Sequence, residues 1–195
     1  MEETSGTSAG ERRYRWSDFL ELAQDDRREL IDGQLLAIDV PTRIHEWIVF
    51  VLLRHLGNWA MSRQAGILLP SGYKVRVRED RGVMPDLQFF RRGRIVPNAA
   101  LEEGAPDLAG EVISSTSGRY DRVEKLNWYV AIGVPEYWLV DPEHRTLEQL
   151  VLDPGVGYRV ATSVGGDVVF APATFPGLAI ELSELWALPA WFSTQ

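Results

Sequence analysis

The chain has 195 residues, which suits one globular domain better than two. Cysteine is absent, which excludes a disulfide-stabilised fold, a thiolate zinc site and a cysteine nucleophile, and suits the reducing cytoplasm where we expect the protein to act. No apolar run approaches the roughly 20 residues of a membrane-spanning helix. The net charge of −8 argues against a protein that coats nucleic acid without specificity.

The N-terminal part opens with a polar segment, residues 1–13, that lacks an apolar signal region. We predict that this lead-in is disordered and that a single domain follows over residues 14–195. The segment from Tyr14 to Ala23 predicts a short helix with Ser17 as its N-cap. Asp32-Gly33 then separates two short strand-like runs. Because this dipeptide readily adopts the positive φ angles of a two-residue turn, it predicts an N-terminal β-hairpin.

A long amphipathic helix is predicted from Ile44 to Met61, where apolar residues recur at helical spacing. We expect this helix to cover one face of a sheet. Three segments that each resemble a strand follow, at residues 67–77, 84–90 and 106–114. The second and third are almost continuously apolar, which is typical of central strands that are buried on both faces.

The C-terminal half adds a second helix from Arg119 to Ile132, which Gly133 ends. A strand at Glu136–Asp141, a hairpin, further β segments and a short helix near Leu182 come next. This order of elements predicts an α/β fold of the α+β kind, with one mixed sheet and helices on both of its faces.

The segment from Lys74 to Arg94 is locally basic, with seven basic residues against three acidic ones. A solvated strand face and turn explain such a cluster in most proteins, and we favour that interpretation. The alternative is a track for nucleic-acid phosphates.

Two carboxylates lie in segments that should be buried. Asp86 is in the apolar run MPDLQFF, and Glu111 is in LAGEVIS. A buried carboxylate is costly unless it is paired, hydrogen-bonded or bound to a cation. Two of them on neighbouring strands therefore predict a shared site for a hard divalent ion, to which the backbone carbonyl of Val112 adds a natural oxygen ligand. The alternative is that each acid ends a strand or pairs with an arginine.

Lysine is rare in this chain, which has two lysines and eighteen arginines. One of the two, Lys125, lies in the middle of the second predicted helix. A compact ammonium with a movable pKa suits a group that orients a nucleophilic water or stabilises charge on a phosphate. The alternative is an exposed helix lysine that pairs with Asp121 four residues earlier.

These residues lie in stretches that resemble a known family. The stretches RRELIDGQL, PTRIHE and MPDLQF, and the long block from Ala105 to Pro142, resemble the Uma-type family of bacterial putative restriction endonucleases, in the PD-(D/E)xK nuclease superfamily. The most specific part of the resemblance is the block from Asp107 to Pro142. The resemblance implies a restriction-endonuclease-like core and magnesium-dependent cleavage of DNA, with manganese as a substitute. It also implies a homodimer.

Carried over by the resemblance, Pro85-Asp86 is the PD element and Glu111 is the second metal ligand. Glu29 matches a further acid, which either completes the metal shell or is a charge at the rim of the site. His45 matches a histidine that either caps the long helix or hydrogen-bonds an active-site carboxylate. Tyr120 and Asp121 match supporting positions.

The chain departs from the family pattern in two places. The lysine expected two residues after the glutamate is replaced by Ile113, so the resemblance implies that Lys125 has taken over its role. The loop ISSTSG lacks the usual proline. Two other functions stay open: a catalytically silent module of the same fold that binds or assembles, and a hydrolase that acts on a non-nucleic phosphate substrate.

Overall fold

The framework consists of two main β-sheets and a small third one. The computed structural model describes residues 12–23, 25–94, 104–114 and 117–193, so most of the predicted lead-in lies outside the described residues. The strands are β1 (Arg28–Ile31), β2 (Gln34–Ala37), β3 (Gly66–Pro70), β4 (Val75–Arg78), β5 (Arg81–Val83), β6 (Leu87–Arg91), β7 (Leu108–Val112), β8 (Glu136–Asp141), β9 (Thr146–Asp153), β10 (Gly157–Gly165), β11 (Val169–Phe170) and β12 (Ile180–Glu181).

Five α-helices and one π-helix surround the sheets in the described ranges. They are α1 (Trp16–Leu20), α2 (Arg43–Arg63), a π-helix (Tyr120–Lys125) that continues directly into α3 (Leu126–Ile132), α4 (Ser183–Trp186) and α5 (Ala190–Ser193). None of these helices is both long enough and apolar enough to cross a membrane.

The larger sheet has six strands in the order β10-β9-β8-β7-β6-β3. Strands β7 and β8 run parallel and the other neighbours are antiparallel, so this sheet is mixed, as predicted. Strands β6, β7 and β8 are almost entirely buried. They therefore form the centre of the fold, and the apolar runs predicted this position for β6 and β7.

The two faces of this sheet carry different helices, because successive side chains along a strand alternate between its faces. Val112 and Trp138 belong to the apolar cluster that contains α2. Ala109 and Tyr137 belong to the cluster that contains Tyr129 of α3. Helices therefore lie on both faces, as the sequence predicted, and Glu111 lies on the α3 face between Ala109 and Ile113.

The prediction of a single sheet was wrong. Strands β2-β1-β5-β4 form a separate antiparallel sheet of four strands, and β11 and β12 form a pair of their own. The segment 67–77 is not one strand: it ends at Pro70, turns at Ser71-Gly72 and resumes at Val75 in the other sheet. Gly72 has a φ of +103°, a conformation that glycine adopts without steric cost.

The N-terminal hairpin is confirmed. Asp32 and Gly33 have φ angles of 49° and 78°, and Leu30 pairs with Leu35 across the turn. The first helix is shorter than predicted, and Ser17 is not its cap. Arg15 occupies the cap position, and the Asp18 carboxylate accepts a 2.8 Å hydrogen bond from its backbone N–H.

The long helix α2 is confirmed and begins at Arg43. Thr42 caps it by accepting a 3.2 Å hydrogen bond from the backbone N–H of His45. The C-terminal part of the chain fastens to the same helix, because the indole N–H groups of Trp47 and Trp59 donate to the carbonyls of Glu184 and Pro176. The N-terminal end of α2, which positions His45, is thereby held against the fold.

Candidate active site

Four parts of the chain bring acidic side chains around one lysine. Glu29 comes from β1, Glu111 from β7, and Asp121 and Lys125 from the π-helix, and each of these side chains is at most 7% exposed. Asp86 lies at the edge of this group with 16% of its side chain exposed. Charged side chains are rarely buried unless they are paired. The burial of these residues together is therefore a specific feature of the fold.

The ammonium of Lys125 is the centre of the group. Its Nζ lies 2.9 Å from Glu111 Oε1, and 3.6 Å from both Glu29 Oε1 and Asp121 Oδ1. Burial by itself lowers the pKa of Lys125, but the carboxylates, Glu111 first among them, outweigh burial and raise this pKa well above its usual value. Lys125 is therefore a buried cation that carboxylates surround, and it is not the exposed helix lysine of the alternative interpretation.

Glu111 is shared between Lys125 and a tyrosine that the sequence analysis did not identify. The hydroxyl of Tyr129, a fully buried residue of α3, donates a 2.7 Å hydrogen bond to Glu111 Oε1. Burial raises the pKa of Glu111 well above its usual value, and Lys125 offsets this only in part. Burial likewise raises the pKa of Tyr129, which keeps it a hydrogen-bond donor.

Glu29 is held by both of its oxygens. Oε1 accepts a 2.8 Å hydrogen bond from the backbone N–H of Met84, and Oε2 accepts a 2.8 Å bond from the hydroxyl of Tyr120. The Tyr120 ring in turn faces Lys125, with Nζ 5.3 Å from its centroid. Glu29 is therefore part of the buried group and not a charge at its rim.

Asp121 is anchored by the turn before it. Its Oδ2 accepts a 2.5 Å hydrogen bond from the Ser117 hydroxyl, and its backbone carbonyl accepts one from the Tyr137 hydroxyl at 3.1 Å. Burial raises the pKa of Asp121, against the opposing effects of Lys125 and Ser117. In the loop before this turn, Ser114 is described and Ser115 lies outside the described residues.

Asp86 lies just before β6 and not within it, which corrects the sequence prediction. Since Leu87 pairs with Gly110 in the antiparallel β6–β7 ladder, Asp86 lies across from Glu111. Its Oδ2 accepts a 2.8 Å hydrogen bond from the backbone N–H of Val112. The position at the end of the strand explains why Asp86 is more exposed than Glu111.

His45 contacts Asp86 and does not cap its helix with its side chain. Its Nε2 lies 3.2 Å from Asp86 Oδ2, while Nδ1 lies 3.4 Å from Glu46 Oε1 without making a hydrogen bond. Burial lowers the pKa of His45, but the nearby Asp86 outweighs burial and raises it overall. Of the two roles implied for His45, the structure shows the contact with a carboxylate, that of Asp86 in the candidate site.

The π-helix explains how one short segment supplies three members of the group. A π-helix pairs residues five apart and turns less per residue than an α-helix, and such segments are frequent at functional sites. Here Tyr120, Asp121 and Lys125 all face the sheet, and Tyr129 follows one turn later in α3. The spacing of four between Lys125 and Tyr129 could have identified the tyrosine from the sequence, because it places both on one helix face.

The basic segment from Lys74 to Arg94 is mostly neutralised. Arg76 pairs with Glu79, Arg78 with Asp32 and Asp80, Arg81 with Asp32, and both Arg91 and Arg94 with Asp107. These contacts agree with the solvated strand face that we favoured over a phosphate track.

The donor set fits a hard cation with a small number of protein ligands. In the described part of the chain, no three His, Asp or Glu side chains are grouped as a complete metal-binding set. Asp86 Oδ1 and Glu111 Oε2 nevertheless accept no hydrogen bond from any described residue, because the contacts reported above use the other oxygen of each carboxylate. Two carboxylate oxygens are thus available to an ion that prefers oxygen ligands and retains several waters.

Comparison with known proteins shows the family and the fold of the chain. A solved structure, described as a putative nuclease belonging to DUF820 from Anabaena variabilis ATCC 29413, is similar in fold, with a TM-score of 0.71 and 19% identity over 87% of this chain and 96% of that chain. No curated protein matches the chain. The model of the Uma2 family, described as putative restriction endonuclease, matches residues 16–183. Since this match spans most of the sequence, the chain belongs to the Uma2 family and has a nuclease-like fold.

Proposed function

We propose that this chain is a metal-dependent endonuclease that hydrolyses DNA phosphodiester bonds. The observation that carries the proposal is the imbalance of charge in the site, where Glu29, Asp86, Glu111 and Asp121 surround the single ammonium of Lys125. A buried excess of negative charge must take up protons or a cation. Membership of the Uma2 family favours the cation.

Magnesium is the expected ion, with manganese as a substitute, because both accept carboxylate and carbonyl oxygens. Asp86 and Glu111 would hold it together with the backbone carbonyl of Val112. The N–H of Val112 bonds Asp86, and in a β-strand the N–H and C=O of one residue point to the same side. That orientation supports the Val112 carbonyl as a ligand.

Glu29 was a further candidate ligand, and its contacts favour a different role. Both of its oxygens are already occupied, by the Met84 amide and the Tyr120 hydroxyl. We therefore assign Glu29, with Tyr120 and Asp121, to holding the Lys125 ammonium in place.

When bound, a divalent ion polarises the scissile phosphate and lowers the pKa of a coordinated water. Lys125 supplies a fixed positive charge beside the ligand Glu111, where it stabilises the charge that builds on the phosphate or orients the attacking water. Tyr129 fixes the Glu111 carboxylate, and His45 fixes Asp86 from the outer side. Because these groups are positioned by the folded chain, little reorganisation accompanies the reaction.

Cleavage of supercoiled and linear DNA by the purified protein tests the proposal. We expect nicking or cutting with Mg²⁺ or Mn²⁺, and its loss in both Lys125→Ala and Asp86→Asn. Asp167→Asn makes the same chemical change at an exposed residue and is the matched control. Cleavage that survives Lys125→Ala would refute the mechanism.

A second candidate function is a catalytically silent module that binds or assembles through the same fold. It is favoured by the direct contact of Lys125 with Glu111, which lets the two charges satisfy each other without an ion. Titration calorimetry with Mn²⁺ separates the two candidates. If the site is active, binding of Mn²⁺ should release heat, and this heat should disappear in Asp86→Asn and persist in Asp167→Asn. A silent module should release no heat.

We further propose that the protein acts in the cytoplasm as a homodimer, since two related sites cut two strands most simply. Strand β10 supports pairing through the C-terminal strands, because it is nine residues long and lies at the edge of the six-stranded sheet. Light scattering at micromolar concentration tests this, and a species of 22 kDa would contradict it.

A further inference from the structure

The second lysine of the chain, Lys74, lines a cleft that adjoins the candidate active site. The cleft has a volume of about 470 Å³ and lies between the segment after α1 and the turn that joins β3 to β4. Such a volume is in the range of small-ligand sites. Its apolar wall includes Leu22, Leu69 and Met84, and Tyr73 adds an aromatic side chain.

Lys74 is a buried cation without a carboxylate partner. It is 9% exposed, and no Asp or Glu in the described ranges lies within ion-pairing distance of its Nζ. The Nζ donates a 2.6 Å hydrogen bond to the Phe19 carbonyl and lies 4.8 Å from the centroid of the Phe19 ring. An ammonium has three donors, so two of them are directed to the cleft or to water.

Asp26 also lines the cleft, but its charge is already compensated. Arg28 Nε donates to both of its carboxylate oxygens, at 2.9 and 3.2 Å. Burial lowers the pKa of Lys74, and Asp26 acts against this through space without forming an ion pair with it. An anion that enters the cleft therefore meets the positive charge of Lys74 beside a carboxylate that Arg28 already pairs.

The walls of the cleft are held by the core, so the site is formed in advance. Gln88, a fully buried residue of β6, donates a 2.7 Å hydrogen bond to the Tyr73 carbonyl. The bond from Lys74 to Phe19 fixes the opposite wall. A preformed site loses little conformational entropy when a ligand binds.

The cleft and the carboxylate group meet at Met84. Met84 is one of the residues that line the cleft, and its backbone N–H donates to Glu29 Oε1. Asp86 follows two residues later, so the two Cα atoms are at most about 7.6 Å apart, twice the distance between consecutive Cα atoms. A strand of nucleic acid that presents one phosphate to Asp86 and Glu111 would bring a neighbouring nucleotide to this cleft.

We propose that the Lys74 cleft is a subsite for one nucleotide of the substrate strand, with the phosphate on Lys74 and the base against the apolar wall. This inference rests on the proposed nuclease function, because the cleft then fixes the strand beside the reacting phosphate. The ligand needs both an anionic group and a flat apolar body, which excludes inorganic phosphate and a bare nucleoside as full ligands.

Deoxyadenosine 5′-monophosphate in EDTA is the probe, with binding followed by NMR or calorimetry. Lys74→Gln should weaken its binding by about tenfold or more, the effect of losing one charge-assisted hydrogen bond. Lys74→Arg should restore part of the affinity. Deoxyadenosine and inorganic phosphate should each bind more weakly than the nucleotide. Arg159→Gln, at an exposed residue of β10, is the matched control and should change nothing.

Ser71→Tyr is the second variant, because it fills the cleft from the turn and leaves the bond from Lys74 to Phe19 in place. It should abolish nucleotide binding even if Lys74→Gln folds poorly. Equal binding by Ser71→Tyr and the unaltered protein would overturn the proposal, as would no nucleotide binding at millimolar concentration. Nucleotide binding that depends on Lys74 in a protein that does not cut DNA would uphold the cleft and reject the nuclease activity.

Discussion

Replacement of Lys125 by methionine tests whether its ammonium compensates the buried carboxylates. Methionine keeps most of the length and apolar stem of the side chain, so the change removes mainly the charge. Lys125 lies 2.9 Å from Glu111 and 3.6 Å from Glu29 and Asp121. At an effective dielectric constant of about 20, each contact contributes roughly 5 kcal/mol of attraction. The cost of desolvating these charges offsets much of this attraction. We expect Lys125→Met to lower the free energy of unfolding by about 3–5 kcal/mol, as when one partner of a buried ion pair is removed.

The stability lost in Lys125→Met should depend on pH, and the direction of this dependence follows from the ionisation of Glu111. Burial holds the folded-state pKa of Glu111 well above its usual value of 4.5, and removal of Lys125 takes away the main effect that lowers this pKa. A raised folded-state pKa contributes stability that is fully present below the unfolded pKa and is lost as pH rises through the folded pKa. The gap between Lys125→Met and the unaltered protein should therefore be widest at pH 7 and narrow towards pH 4.5.

Urea unfolding followed by tryptophan fluorescence, in EDTA at several pH values, measures these differences. Arg119→Met removes an exposed charge just before the π-helix and should change the free energy of unfolding by less than about 0.5 kcal/mol. Addition of Glu111→Gln to Lys125→Met should recover part of the loss, because one unpaired buried charge disappears. A loss below about 1 kcal/mol that is equal at both ends of the pH range would refute the compensation of charge on which the proposed site depends.

Three further predictions test other parts of the fold. Tyr129→Phe removes the hydrogen bond to a buried carboxylate and should lower the free energy of unfolding by about 1–3 kcal/mol in urea. Gly110→Ala places a Cβ 2.8 Å from a leucine side chain and should lower the free energy of unfolding by about 1–3 kcal/mol. In Gly57→Ala, within a helix, the added Cβ has nothing within 4 Å, so this change should raise the free energy of unfolding by about 0.5–1 kcal/mol. Thermal unfolding compares the two variants. Burial raises the pKa of Glu136, so Glu136→Gln should gain stability relative to the unaltered protein as pH rises from 4.5 to 7, measured by urea unfolding.

Much of the fold could be predicted because local signals agreed with the tertiary structure. Asp32-Gly33 allows few turns other than the one observed. The apolar spacing from Ile44 onwards predicted α2, and the continuous apolar runs predicted the central strands β6 and β7. Asp86 and Glu111 could be proposed because charges in apolar surroundings are conspicuous in a sequence. Lys125 could be proposed because lysine is rare in this chain and because the resemblance to the family implied its role.

The remainder depends on tertiary contacts that no local pattern encodes. The break after Pro70 sends β3 and β4 to different sheets, although both have the same strand-like composition. Asp86 lies outside its strand because its carboxylate bonds the Val112 amide and thereby ends the ladder. Helical spacing places Tyr129 on the same face as Lys125, but it does not show that the Tyr129 hydroxyl bonds Glu111, because that partner comes from a different element.

The π-helix has a consequence for changes in the length of the chain. Deletion of one residue between Asp121 and Lys125 would allow an ordinary α-helix to form, in which each residue turns by about 100°. Asp121 and Lys125 would then be three residues and about 60° apart around the helix axis, whereas the four residues of the wider π-helix now complete nearly a full turn and bring the two side chains to 3.6 Å. The exposed Val123 should tolerate many side chains in this interval, but a change in the number of residues should alter the contact between Asp121 and Lys125.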